Sequence, residues 1–164
     1  MRGVLIELRP LREEDFEALF RAASDPLIWE QHPEPDRCKR EVFQRFFEDA
    51  IASRGAFAVI DLKSGNIIGS SRYWDYNPDR REIEVGWTFL ERAFWGGSYN
   101  RELKSLMLDH AFRFVHRVLF RVGENNFRSQ RALEKIGAKL VSKVEPSAVD
   151  GSGSGNNLVF VIEG

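Results

Sequence analysis

At 164 residues the chain has room for one domain with a single sizeable core and none for a second. Its 24 basic and 25 acidic residues leave a net charge of −1 with no long block of one sign, so no nucleic-acid footprint is visible. One cysteine excludes an internal disulfide framework and fits a reducing compartment, and no run approaches the ~18 apolar residues of a membrane span or forms a signal peptide, so a cytoplasmic protein is expected.

Residues 4–11 read as a first strand. Phe16, Leu19, Phe20 and Ala23 then recur at i, i+3, i+4 and i+7, a helix that Asp25-Pro26 ends. Residues 27–36, with Pro33 and Pro35, are expected to be a loop, and a second helix carries Phe43, Phe46, Phe47, Ala50 and Ile51 on one face. Residues 56–62 and 67–74 are rich in strand formers and are joined by Lys63-Ser-Gly-Asn66, a hairpin. Asn77-Pro-Asp-Arg80 turns the chain into a third meander strand at 82–90. A long helix follows at about 99–116, with Leu103, Leu106, Met107, Ala111 and Phe114 on its buried side; a short strand at 118–122 is expected to run parallel to the strand before the helix. Asn126 starts and Gly137 stops a further helix. Residues 139–144 and 158–162 read as a closing strand pair, and 150–157 has linker composition with no evident chemistry.

The strand at 82–90, the turn Phe94-Trp-Gly-Gly-Ser-Tyr-Asn100 and the long helix are the organising stretch. A helix N-terminus offers unpaired N–H groups and partial positive charge, so a glycine-permitted turn leading into one suits phosphate. No P-loop is present, because Ser98-Tyr99 follows Gly97, and no G-x-G-x-x-G, because Gly96 and Gly97 are adjacent.

Trp95-Gly96-Gly97-Ser98-Tyr99-Asn100 resembles the acetyl-CoA pyrophosphate loop of the GNAT superfamily, Q/R-x-x-G-x-G/A, in the W-G-x-G-Y-A form of its RimJ/RimL-type ribosomal-protein N-acetyltransferase branch. Ser98 and Asn100 depart from that pattern by adding bulk. A second likeness lies about thirty residues on, N-x-x-S-x-x-x-L-E-K-x-G, carried by Asn126, Ser129, Leu133, Glu134, Lys135 and Gly137. The resemblance covers nearly the whole chain. It implies a single α/β (α+β) domain over residues 1–164: six to seven strands, mostly antiparallel, one parallel pair splayed at the cofactor site, about four flanking helices.

The resemblance further implies that the pantetheine arm of acetyl-CoA pairs like an added strand with the main chain of Thr88, Phe89 and Leu90. The N–H groups from Gly96 to Arg101 would hold the pyrophosphate, with Arg101 or Lys104 adding charge, Asn126 reaching in from the opposite side, and Arg128 or Arg131 meeting the remaining phosphate. The acceptor is expected to be a small-molecule amine or a protein N-terminus, acetylated by direct attack in a ternary complex, on a monomer or homodimer.

An amine nucleophile must be neutral, and its ordinary pKa lies at roughly 7.7–8.0 for an α-amine and 10.4 for lysine, so a base helps. Glu84 is the candidate base: alternation puts Glu82, Glu84, Gly86 and Thr88 on one face of the strand and Ile83, Val85, Trp87 and Phe89 on the core face, and Glu84 lies eleven residues before Trp95, where histone-acetylating members of the superfamily bear their glutamate. The N–H near Leu90 can receive the developing oxyanion. Many members place a Tyr acid where this chain has Leu133; Ser129 can bond the thiolate or simply satisfy the helix start. Asn126 is open to a cap role, a cofactor role or both.

Trp29, His32 and Tyr73, with Trp74 and Tyr76, are candidate acceptor-lining residues, His32 as a second base or a surface residue. His110 reads as a packed core residue and His116 as a helix C-terminal cation, and the His and Cys spacings suggest no metal. A non-catalytic acyl-CoA-binding module, or a site for another nucleotide, is the competing expectation.

Overall fold

A computed structural model describes residues 1–144 and 157–164, and among them lie seven strands and five α-helices. They are β1 (Ile6–Pro10), α1 (Phe16–Ala23), α2 (Pro26–Trp29), α3 (Arg40–Ser53), β2 (Ala56–Asp61), β3 (Ile67–Asn77), β4 (Glu82–Leu90), α4 (Ser98–Ala111), β5 (Arg117–Gly123), α5 (Phe127–Lys135), β6 (Lys139–Val144) and β7 (Asn157–Glu163). They form one sheet of order β1-β2-β3-β4-β5-β7-β6. All neighbours are antiparallel except β4 and β5, which the α4 crossover makes parallel. The expected mixed sheet with one parallel pair is therefore the fold observed.

Apolar side chains on the two faces of the sheet build two cores. Ile6, Leu8, Val59, Ile68, Val85, Leu90, Val118 and Phe120 pack against Leu103, Met107 and Ala111 of α4. On the other face Phe89 meets Leu19 of α1, Trp29 of α2 and Phe43, Phe46 and Phe47 of α3, an aromatic cluster with Phe43 fully buried. The stripe expected at 43, 46 and 47 is thus core. The Glu102 carboxylate of α4 accepts the N–H groups of Val4, Leu5 and Ile6 at 2.8–2.9 Å, tying the start of the chain to this helix. Gly3 makes room for that carboxylate, since a Cβ there would stand 2.5 Å from its Cδ.

The structure corrects several expectations. Asp25-Pro26 does end α1, but it also starts α2: the Asp25 side chain accepts the Leu27 N–H and Pro26 takes the first helical position, where its missing N–H costs nothing. A 3-10 turn follows at Pro35–Cys38, so residues 27–36 are not simply a loop. α4 stops at Ala111 rather than near 116, leaving Phe114 exposed and His116 outside the helix. His110 is half-buried between the rings of Tyr73 and Phe114. Most of the stretch read as a linker lies outside the described residues; its last member, Asn157, is a buried residue of β7.

Candidate active site

β4 and β5 pair at three positions only, Glu82↔Arg117, Ile83↔Val118 and Glu84↔Leu119. Beyond them β4 runs on to Leu90 and β5 to Gly123 with a gap between, and that gap opens into a cavity of about 780 Å³. The cause is local. Against β3 the register of β4 slips between Ser70↔Phe89 and Arg72↔Gly86, and Trp87 sits there at φ +51°, a bulge that bends the strand.

The bulge also reassigns the faces. Ile83, Val85 and Leu90 lie toward α4, as does Thr88, whose Oγ1 meets Lys104 of that helix. Trp87 and Phe89 lie toward α1 and α3. Glu84 faces that second side, where its Oε2 lies 3.4 Å from Nε of Arg121, a β5 residue between the core-facing Phe120 and Val122. Strict alternation, which grouped Thr88 with Glu84 and Trp87 with Val85, fails at this point.

At the open end of the gap Trp95, Gly96 and Gly97 lead into α4. Gly96 holds φ +73°, a conformation that glycine adopts without strain. Gly97 is the helix cap, no side chain bonds the first-turn N–H groups, and no acidic residue lies in that turn. A Cβ on either glycine would meet nothing within 4 Å, so the turn faces open space. Ser98, Asn100 and Arg101 line the cavity here, with Arg131 and Lys135 of α5 opposite. An unfilled helix N-terminus rimmed by cations fits a diphosphate.

Other expected residues fall differently. Tyr99 turns away, its hydroxyl on Asp61 Oδ1 at 3.0 Å and its ring against Phe94. Arg128 stacks on the Trp95 ring at 3.9 Å and donates to the Ile28 carbonyl at 2.8 Å, so its guanidinium serves as a brace between α5, α2 and the turn. Lys104 lies under the gap, against Thr88 and Phe120, and not at the glycine turn. Asn126 caps α5, accepting the Ser129 N–H at 3.4 Å, and both residues line the cavity. Leu133 of α5 lines it as well.

The cavity is lined further by Glu84 at the closed end and by Trp29, His32, Arg37, Thr88, Phe89, Leu90 and Lys104. Trp29 is buried, with Nε1 donating to the Ala23 carbonyl at 2.8 Å and its ring on Phe89. His32 accepts the Glu34 N–H at Nδ1 (2.9 Å), and its Nε2 lies 3.3 Å from Arg37 Nη1. Burial, then the charges of Arg37 and Arg128, lower its pKa to about 3. These contacts hold the ring between α2 and the 3-10 turn, where it lines the cavity as a neutral imidazole.

Tyr73 is not in the cavity: its hydroxyl donates to the Met107 carbonyl and its ring packs on Phe57, on the α4 side. Trp74 packs on the Trp87 ring and Tyr76 is exposed, and neither lines the site. Sequence reading missed Arg37, Arg121 and Asn157, all of which line the cavity. For Arg121 the signal was present, since period-two alternation from Phe120 places it on the Glu84 face.

A family model described as an acetyltransferase (GNAT) domain matches residues 6–139. No curated protein matches the sequence. A GCN5-related N-acetyltransferase from Brucella melitensis superposes with a TM-score of 0.85 at 22% identity, over 99% of this chain and 77% of that one. Spermidine N-acetyltransferase from Vibrio cholerae, solved with CoA and spermine, gives 0.73 at 17% identity over 98% and 96% of the two chains. RimJ from Mycobacterium smegmatis, solved with CoA-disulfide, gives 0.73 at 17% over 96% and 81%.

Proposed function

The chain belongs to the GNAT acetyltransferase family, and from that premise we propose that it transfers an acetyl group from acetyl-CoA to a primary amine by direct attack within a ternary complex. The observation that carries this reading is continuity: one cavity runs from the uncapped start of α4 along the unpaired edge of β4 to Glu84. Gly96, Gly97, Ser98, Asn100 and Arg101 would hold the diphosphate, and the main chain of Thr88 to Leu90 the pantetheine arm. When bound there, acetyl-CoA supplies the activated acyl group. Glu84 removes the proton that the attacking amine must lose, and Trp29, Trp87 and Phe89 give the acceptor an apolar, water-poor approach.

The acceptor is a small amine, the class that the name spermidine N-acetyltransferase represents among the structural neighbours, or a protein N-terminus, as the resemblance of the glycine turn to the RimJ/RimL-type branch implies. The placement is cytoplasmic, where acetyl-CoA and both classes of amine occur; among the described residues no helix is long and apolar enough to cross a membrane. Calorimetry with acetyl-CoA, followed by thiol release across polyamines, amino acids and N-terminal peptides, tests the reading. Saturable binding with release for at least one amine is expected. Binding with no release from any amine would leave a non-catalytic acyl-CoA module in its place.

A further inference from the structure

Lys104 is a buried ammonium on the floor of the cavity. It lies on the side of α4 that also presents Leu103, Met107 and Ala111 to the core. Its Nζ donates to Thr88 Oγ1 of β4 at 3.1 Å and lies 5.2 Å from the ring centre of Phe120 of β5. Phe120 is the first β5 residue past the last pair with β4 and Thr88 lies four residues past that pair on β4, so the ammonium reaches both strands inside the gap. Thr88 Oγ1 is itself held by Ser71 Oγ at 2.8 Å, which fixes the Lys104 acceptor in place.

Burying a cation with one hydroxyl and one ring face as company is costly, since an ammonium carries three donors. Burial draws its pKa down to about 8. A core position of this kind takes leucine or methionine at no such cost, so the charge requires a purpose.

An arm that enters at the glycine turn and follows the gap ends where β4 and β5 close, between Glu84 on one face of the sheet and Lys104 on the other. We propose that Lys104 is the acid of this site, its ammonium facing the sulfur of the bound thioester and protonating the departing thiolate. This rests on the acetyl-CoA reading above. As the amine nitrogen bonds to the acyl carbon, the carbon–sulfur bond breaks and its electron pair leaves on sulfur. The Nζ proton passes to that sulfur and the surplus proton of the amine passes to Glu84; as product departs Glu84 releases its proton to solvent and Lys104 takes one up. Leu133, across the gap on α5, has no proton to give.

The test compares wild type with Lys104→Met and Lys104→Arg, each checked for folding by thermal unfolding and for CoA binding by calorimetry. The thiol of bound CoA is then titrated by its ultraviolet thiolate absorption, a readout that needs no acceptor. In wild type the thiol ionises at lower pH than in Lys104→Met, with a roughly fivefold or larger thiolate fraction at neutral pH. Lys104→Arg retains the lowered ionisation and loses turnover, because guanidinium keeps its charge and does not surrender a proton. Equal ionisation in wild type and Lys104→Met, both binding CoA, overturns the acid role and leaves the acetyltransferase reading standing. Absence of CoA binding by wild type overturns both. Acetylation found on Lys104 itself by mass spectrometry after incubation with acetyl-CoA also overturns it, by making the residue an acceptor.

Discussion

Glu84 is the last residue of β4 to hold a partner on β5, and its side chain enters the cavity beside Arg121. Replacing it with glutamine keeps the shape and removes the proton-accepting oxygen. Glu84→Gln is expected to lower kcat by roughly a hundredfold or more and to change the pH–rate profile, with CoA affinity held within about twofold. An unchanged profile would remove Glu84 as the base. His32 makes a different kind of prediction. Its pKa is about 3 in the folded protein against an ordinary 6.5, so between those values the unfolded chain holds the extra proton. Stability therefore falls as pH falls from 6.5 toward 3, by up to ~1.4 kcal/mol per pH unit from this group. His32→Asn, which keeps an acceptor for the Glu34 N–H, should show a shallower loss of Tm over that window than wild type. Parallel curves would mean that His32 does not drive the acid limb.

The turn before α4 is an element whose backbone, on the proposed reading, does the binding. Gly97 has φ −136°, and proline fixes φ near −65° and removes an N–H, so Gly97→Pro distorts the turn that sets the first N–H groups of α4 toward the cavity. A loss of CoA affinity of at least roughly tenfold is expected by calorimetry, since one lost charge-assisted bond alone amounts to about 1.5–3 kcal/mol. Retained affinity would place the phosphate site elsewhere.

This turn and the capped helix from Asn126 to Gly137 were legible because their residues act locally: asparagine caps through its own side chain, and Gly137 takes φ +90°. The bulge at Trp87 was not. A left-handed tryptophan carries no local signature, and what holds it is tertiary, Arg72 stacked 4.3 Å over its ring and Trp74 against its edge. The early end of α4 was hidden for the opposite reason: Val115 is buried although it is not helical, so the apolar spacing ran past the true stop. Lys104 was read as a phosphate contact because lysine favours the surface, and only the packed sheet beneath shows it turned inward.

Taken as a whole the molecule is nearly neutral, at −1, yet the cavity mouth carries Arg101, Arg131 and Lys135. Exposed cations attract an anionic ligand over about 10 Å at 0.1 M salt and progressively less above that. The Kd for CoA is expected to rise roughly threefold or more between about 50 and 500 mM salt, and less steeply in Arg131→Ala. A Kd insensitive to salt would show that these side chains play no part in capture.

The Glu102 carboxylate sits one turn into α4 and grips Val4, Leu5 and Ile6, while the terminal ammonium of Met1 donates to the Leu8 carbonyl at 2.9 Å. The helix that follows the glycine turn is thereby moored to residues more than ninety positions earlier in the sequence, with α1 to α3 and β2 to β4 between. Trimming the first four residues, or seating a bulky fusion partner on Met1, should slacken that mooring and weaken nucleotide retention at a distance, detectable as faster CoA dissociation from a protein whose sheet still melts cooperatively.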